Sequence, residues 1–169
     1  MRNSIIALLF VLFFLESCSS MHFAIRRNNN LTSRQVSYLY KENGNAFYLS
    51  STYASFSVVW TYVEDRIEIY RINKGQIKEK QAYSGKEMIS FSVADIKDIE
   101  NAIYQNCALE LDGDAFGFII RIGSETYNED FSVDINCLKQ THEYPAFLEA
   151  VINDIRIYNM WEIKYERHD

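Results

Sequence analysis

Proline and glycine are scarce in this sequence, with one proline and six glycines among 169 residues. A Pro/Gly-rich linker and a collagen-like tract are therefore excluded. Hydrophobic residues make up 48% of the chain, aromatic residues 15% and charged residues 24%. This composition is typical of a globular protein with a core and not of a disordered chain. The length predicts one domain of ordinary size and a leader.

An excess of basic charge is also missing, because the net charge is −6. An acidic chain offers no electrostatic footprint for nucleic acid, so we expect no nucleic-acid partner. The exception is a small basic cluster formed by Arg26, Arg27 and Arg34. Three arginines are too few for a nucleic-acid patch, and their position soon after the leader indicates proximity to anionic lipid.

The usual catalytic and metal-binding motifs are missing as well. The chain has no Gly-x-Ser-x-Gly, Gly-x-x-x-x-Gly-Lys, Gly-x-Gly-x-x-Gly, Cys-x-x-Cys or His-x-x-x-His. His142 stands beside Glu143 and could act as a general base, the alternative being a loop histidine before a helix. Glu110, Asp112 and Asp114 could hold a calcium ion or form a solvated turn. We therefore expect no catalytic residue, no metal and no cofactor.

The apolar run near the start, Ile5 to Leu15, is 11 residues long, whereas a helix needs about 20 to cross a bilayer. Arg2 precedes this run, and the small residue Ser17 follows it just before Cys18. These are the three parts of an export signal. The alternatives are a permanent membrane span and the first buried helix of a domain. A buried helix would carry polar residues on one face, and none interrupts the run.

The segment Leu15-Glu16-Ser17-Cys18 resembles the lipobox of bacterial lipoproteins, with Glu16 in place of the usual small or aliphatic residue. The resemblance covers only the leader. It implies cleavage before Cys18, lipid attachment to that cysteine, and a membrane as partner, since several acyl chains make a stable anchor. Ser19, with no acidic residue soon after it, is similar to lipoproteins sorted to the outer membrane. We therefore expect a bacterial envelope protein that faces the periplasm.

The chain divides into a cleaved signal peptide at residues 1–17, a polar tether at 18–35 and one domain at 36–169. Alternating apolar residues and turn signals predict strands in the first half of the domain. We place these strands at Val36–Lys41, Ala46–Ser51, Phe56–Val63, Arg66–Ile72 and Gln76–Tyr83. Asn43-Gly44 is the turn predicted between the first two.

Two helices are predicted in the second half of the domain. Ser92 and Asp95 form a capping box before an isoleucine repeat at helical spacing, and Pro145 begins the last helix. A hairpin that turns at Gly123-Ser124 lies between the two helices. The order predicts an α+β fold, an antiparallel sheet (meander plus C-terminal hairpin) with two helices packed on one face.

With Cys18 lipidated, Cys107 and Cys137 remain as an even pair in an exported domain. Such a pair predicts a disulfide, the alternative being two separate buried thiols. A bridge across a loop of this length would contribute about 3–4 kcal/mol in the chain-entropy model.

Aromatic residues give the remaining indication of function, because twelve tyrosines and two tryptophans are many for this length. Exposed tyrosines occur on both glycan-binding and protein-binding surfaces. Trp60 and Tyr62 are expected to pack on the helices. The candidate ligand-binding residues are four tyrosines near the start of the predicted domain, namely Tyr38, Tyr40, Tyr48 and Tyr53.

Three functional hypotheses follow from these observations. The first is a non-enzymatic, membrane-anchored lipoprotein that binds another envelope protein through a sheet face or edge, for example as an inhibitor or immunity protein. The second is a lipoprotein that binds a glycan or another small ligand at a tyrosine-lined surface. The third is an enzyme with a site near His142. A concave polar pocket would favour the second or third, and a flat exposed aromatic patch the first.

Overall fold

A computed structural model describes residues 30–51, 56–73, 76–107, 114–138, 140 and 144–157 of the chain. Helix α1 spans residues 30–43. Strands β1 to β6 span Asn45–Ser51, Phe56–Val63, Arg66–Asn73, Gln76–Ser84, Asp114–Ile122 and Glu125–Ser132. Helix α2, Val93–Asn106, lies between β4 and β5, and helices α3, Ile135–Leu138, and α4, Ala146–Ile157, follow β6.

The six strands form one antiparallel sheet in the order β4-β3-β2-β1-β5-β6. Strands β1 to β4 form the predicted meander, and β5 and β6 form the predicted hairpin. The hairpin joins the meander through β1, where Phe47 pairs with Phe118. The α+β fold with an antiparallel sheet is therefore confirmed.

The larger core lies on the face of the sheet that packs against α2, α3 and α4. Phe47, Trp60 and Phe118 are fully buried there, with ring centroids 5.6 to 6.0 Å from Phe47 to the other two. The helices contribute mainly isoleucine, leucine and phenylalanine, including Ile103 and Leu148. Because side chains alternate along a strand, one parity of each strand supplies this core.

Several local predictions on this side of the sheet are confirmed. Trp60 and Tyr62 are buried against the helices. The Ser92 N–H donates to Asp95 Oδ2 at 2.6 Å at the start of α2, and α4 begins directly after Pro145.

The opposite face of the sheet carries α1, a helix that was not predicted from the sequence. Residues 36–41 are helical, so the predicted strand Val36–Lys41 is wrong, and residues 30–35 of the predicted tether also belong to α1. Val36 and Leu39 of α1 pack against Ala46 and Ile72 of the sheet in a second, smaller core. The two predicted helices do share one face, and α1 adds a helix on the other.

Gly44 accounts for the difference between the predicted hairpin turn and the observed helix end. Its φ of +76° and a 2.8 Å hydrogen bond from its N–H to the Tyr40 carbonyl make it the residue that ends α1. A left-handed glycine serves equally well at a helix C-terminus and in a two-residue hairpin turn. The Asn-Gly signal was therefore real, but it marks a helix end.

None of the helices in the described residues is long and apolar enough to cross a bilayer. The predicted signal peptide, with Cys18, lies outside the described residues, and so do Tyr53 and His142.

Candidate functional site

A groove of about 470 Å³ lies between α1 and strands β1, β5 and β6. Most of its lining side chains are polar, and five of them are serines or threonines. The lining residues are Thr32, Ser33, Val36, Ser37, Tyr48, Ser50, Ser51, Ala115, Ile119, Asn128 and Asp130. The groove exists because α1 is the one described helix on this face and covers its middle, leaving the β5–β6 side open.

Two of the lining residues, Tyr48 and Asp130, are aligned in register through Gly117 of the strand between them. Tyr48 of β1 pairs with Gly117 of β5, and Gly117 pairs with Asp130 of β6. Because Gly117 has no side chain, the Tyr48 ring can lie across β5, and its hydroxyl forms a hydrogen bond with the Asp130 carboxylate. The hydrogen bond between Tyr48 and Asp130 therefore links β1 to β6 across β5.

The close approach at Gly117 requires glycine. A Cβ at this position would lie 2.4 Å from both Cζ and the hydroxyl oxygen of Tyr48, and 2.6 Å from the Glu129 carbonyl oxygen. Both distances are far shorter than a van der Waals contact. An aromatic ring that covers a strand glycine on the neighbouring strand is a recognised way to stabilise such a position.

Burial raises the pKa of the Tyr48 hydroxyl above its ordinary value, and the charge and hydrogen bond of Asp130 raise it further. The hydroxyl therefore stays protonated at neutral pH and donates to Asp130, which accepts. Asp130 is the one charged side chain among the described lining residues. The groove thus presents a fixed carboxylate surrounded by hydroxyl and amide groups.

This arrangement can bind a polar ligand through directed hydrogen bonds. Ser33, Ser37 and Asn128 are exposed side chains that offer both donors and acceptors, and Asp130 offers acceptors alone. The described lining residues include no histidine or cysteine that could act as a base or nucleophile. No group of three potential metal ligands occurs among the described residues.

The structure separates the three candidate tyrosines that it describes. Tyr48 lines the groove. Tyr38 and Tyr40 were expected on one strand face, and this is wrong because residues two apart on a helix point in nearly opposite directions. Tyr38 is 57% exposed on the outer side of α1. Tyr53 lies outside the described residues.

Tyr40 lies beside the sheet near the β5–β6 turn. Its hydroxyl shares a hydrogen bond with Thr126, and the Arg121 guanidinium carbon lies 5.4 Å from the ring centroid. The hydrogen bonds to Thr126 and Arg121 lower the pKa of Tyr40. Tyr40 therefore connects α1 to the hairpin and does not line the groove.

Of the other predicted site residues, those that the structure describes have structural roles. Cys107, at the end of α2, and Cys137 of α3 form a disulfide with Cα atoms 5.7 Å apart, which confirms the predicted bridge. Asp114 is buried, and its carboxylate accepts a hydrogen bond from the Ile135 N–H at 3.3 Å. It therefore supports the start of α3, while Glu110 and Asp112 lie outside the described residues.

Gly117, Asn128 and Asp130 were not predicted from the sequence as functional residues. A signal for Gly117 was present, because a glycine inside an otherwise apolar strand indicates a close approach by another group. Asn128 and Asp130 occupy the strand parity opposite to buried Phe131, and nothing in a single strand indicates which partner such residues face.

No family model matches this chain, and the comparisons with curated proteins and with solved structures also gave no match.

Proposed function

We propose that this protein is a lipid-anchored envelope protein that binds a small, hydroxyl-rich ligand of the glycan class in the groove between α1 and the sheet. It acts as a binding protein and not as an enzyme. The anchor rests on the lipobox resemblance at Cys18. The observation that carries the binding function is the Tyr48–Asp130 pair set in a polar groove of about 470 Å³.

The chemistry of the lining supports this class of ligand. Sugar hydroxyls both donate and accept hydrogen bonds, as do the serine and asparagine side chains of the groove. Asp130, oriented by the Tyr48 hydroxyl, would accept from two neighbouring ligand hydroxyls. The volume lies within the range of about 300–1,000 Å³ that is usual for ligand pockets.

The exposed large hydrophobic residues do not form the flat aromatic patch expected of the first hypothesis. Among the described residues only two of them are aromatic, and these lie on opposite sides of the sheet, Tyr38 on α1 and Tyr104 on α2. The others are Ile77 on β4, Ile89 before α2 and Val93 on α2. This distribution favours a ligand in the groove over a partner on an aromatic surface.

Glycan-array screening of the mature protein, followed by titration calorimetry with the best glycan, tests the proposal. We expect Asp130→Asn to weaken binding about 10- to 100-fold, because hydrogen bonds to a charged group contribute about 1.5–3 kcal/mol. Asp98→Asn, which removes an exposed carboxylate from α2 on the other face, is the matched control. Failure of every glycan to bind, or equal effects of the two variants, would reject the proposal.

A second candidate function is the protein-interaction module, including the inhibitor or immunity role. The observation that favours it is β4, a nine-residue strand at the sheet edge with most side chains exposed. Among the described strands β4 pairs only with β3, so its outer side could receive a strand from a partner. A photo-cross-linker at Lys78 should then give one discrete protein adduct in cells, while one at Lys97 on α2 should not.

A further inference from the structure

The outer side of α1 carries two basic residues and an exposed tyrosine. Arg34 and Lys41 are seven residues apart, and Tyr38 lies between them, so the three share one face of the helix. Together with Ser33 and Ser37 they border a shallow hollow of about 380 Å³. Arg34 is two residues from buried Val36, about 200° around the helix, so this face points away from the sheet.

Charge is unevenly distributed between this end of the chain and the rest. Residues 1–43 contain five basic and two acidic residues, whereas residues 44–169 contain twelve basic and twenty-one acidic residues. Glu42 is the one acidic residue of α1. The basic end is therefore a distinct electrostatic region on a protein whose remainder is strongly acidic.

We infer that the outer face of α1, formed by Arg34, Tyr38 and Lys41, lies against the surface of a membrane that contains anionic phospholipid. The inference rests on the lipid anchor of the proposed function. Residue 30, where α1 begins, follows Cys18 by twelve residues, so the two are at most about 43 Å apart. The anchor thus keeps α1 within reach of the bilayer.

The three side chains match the chemistry of that surface. Arginine and lysine are attracted to anionic headgroups, and each contributes roughly fivefold in partitioning. Tyrosine is enriched at the membrane–water boundary, where its ring meets the apolar region and its hydroxyl meets water. The acidic remainder of the protein would be repelled by the same surface, so both regions favour one orientation. In this orientation the groove opens beside α1.

Fluorescence quenching by lipid-borne quenchers tests this orientation on the lipidated protein in vesicles. Because Cys18 would be thioether-linked and Cys107 is bridged to Cys137, Tyr38→Cys provides a single reactive thiol for labelling. Val93→Cys is the matched control, since Val93 is 51% exposed on α2, beyond the other face of the sheet. With phosphatidylglycerol present, we expect at least threefold stronger quenching at position 38 than at position 93.

The double variant Arg34→Gln/Lys41→Gln tests the role of charge. It should reduce the difference in quenching between positions 38 and 93 to near zero. Lys78→Gln/Lys97→Gln removes the same charge from other exposed positions and should leave it unchanged. Equal quenching at positions 38 and 93 in vesicle-bound protein would overturn the inference. A photo-cross-link from position 38 to an acidic protein, with no lipid adduct, would also overturn it.

Failure of the anchor itself has a different signature. If mass spectrometry shows Cys18 without lipid and the protein stays in solution, both the proposed anchor and this inference are rejected. If the protein is lipidated and bound to vesicles but shows no preferred face, only the inference is rejected.

Discussion

The two faces of the sheet differ in how much apolar surface they bury. Among the described residues, twenty-two form the buried cluster under α2, α3 and α4, and six form the cluster under α1. The first face holds most of the aromatic rings and the disulfide, and the second holds the polar groove. Because one face supplies most of the stabilising burial, the other can carry polar residues at little cost.

This division makes the α1 face the natural place for a binding site. A groove needs polar groups that keep part of their hydrogen-bonding capacity for a ligand, and such groups destabilise a tightly packed core. This comparison implies that stability and binding are separated between the two faces.

The most direct test uses two isoleucines of β3 that are equally buried on opposite faces. Ile69 belongs to the larger cluster and Ile72 to the smaller one, and both are 0% exposed. We expect Ile69→Ala to lower the free energy of unfolding by about 4–5 kcal/mol and Ile72→Ala by about 2–3 kcal/mol, since a small cluster can relax into the cavity. Urea unfolding measures both, and equal losses would contradict the comparison.

The disulfide should contribute the next largest effect. Replacing both cysteines by serine (Cys107→Ser/Cys137→Ser) removes a bridge that closes 30 residues of chain. We expect a loss of about 3–4 kcal/mol, mainly because the unfolded chain gains conformational freedom. Ligand binding in the groove on the other face should be unchanged. A reductant should destabilise the wild-type protein and leave the variant unaffected.

Gly117→Ala tests the groove itself. The added Cβ would displace the Tyr48 ring and press on the Glu129 carbonyl, so we expect a loss of about 1–3 kcal/mol and of most ligand affinity. The double variant Gly117→Ala/Tyr48→Ala should lose less free energy of unfolding than the two single variants lose together, because removing the Tyr48 ring removes one clash. Strict additivity in a double-mutant cycle would show that the ring does not lie against Gly117.

The smallest effect concerns Glu68, on the α1 face of β3. Burial raises the pKa of Glu68, but hydrogen bonds from Tyr70 and Lys80 outweigh it and hold the pKa below its ordinary value of 4.5. A carboxyl with a lowered pKa stabilises the fold above its unfolded pKa and loses that contribution as pH falls through its folded pKa.

We therefore expect the free energy of unfolding to decrease as the pH drops below about 4.5. Glu68→Gln should make this decrease smaller by up to about 1 kcal/mol. Glu100→Gln, an exposed site on α2, is the control. Unfolding curves between pH 3 and 7 measure the difference, and identical profiles for the two variants would contradict the assigned network.

The sequence was sufficient to predict the face with the larger core. Its strands alternate cleanly, as at Phe116, Phe118 and Ile120, and its long helices carry a capping box or a proline at the start. Each of these signals is local and agrees with the tertiary structure. The disulfide could also be predicted, because only two cysteines follow the leader.

The α1 face could not be predicted to the same degree. Thr32, Val36 and Leu39 have helical spacing, but Tyr38 and Tyr40 also alternate as in a strand, and tertiary packing decides between two weak periodicities. The groove depends on the register that brings Tyr48, Gly117 and Asp130 together from three strands. The whole sheet sets such a register, so it cannot be predicted from the sequence of a single segment.

Among the described strands β4 pairs only with β3, and this edge position has a consequence for the behaviour of the protein at high concentration. An uncovered edge is a template on which further chains can add and aggregate. Lys78, Glu79 and Lys80 place alternating charge at the centre of this strand, and two molecules pairing there would have to desolvate it. These three residues therefore protect the strand against aggregation, and replacing them with valine would favour fibrous assembly.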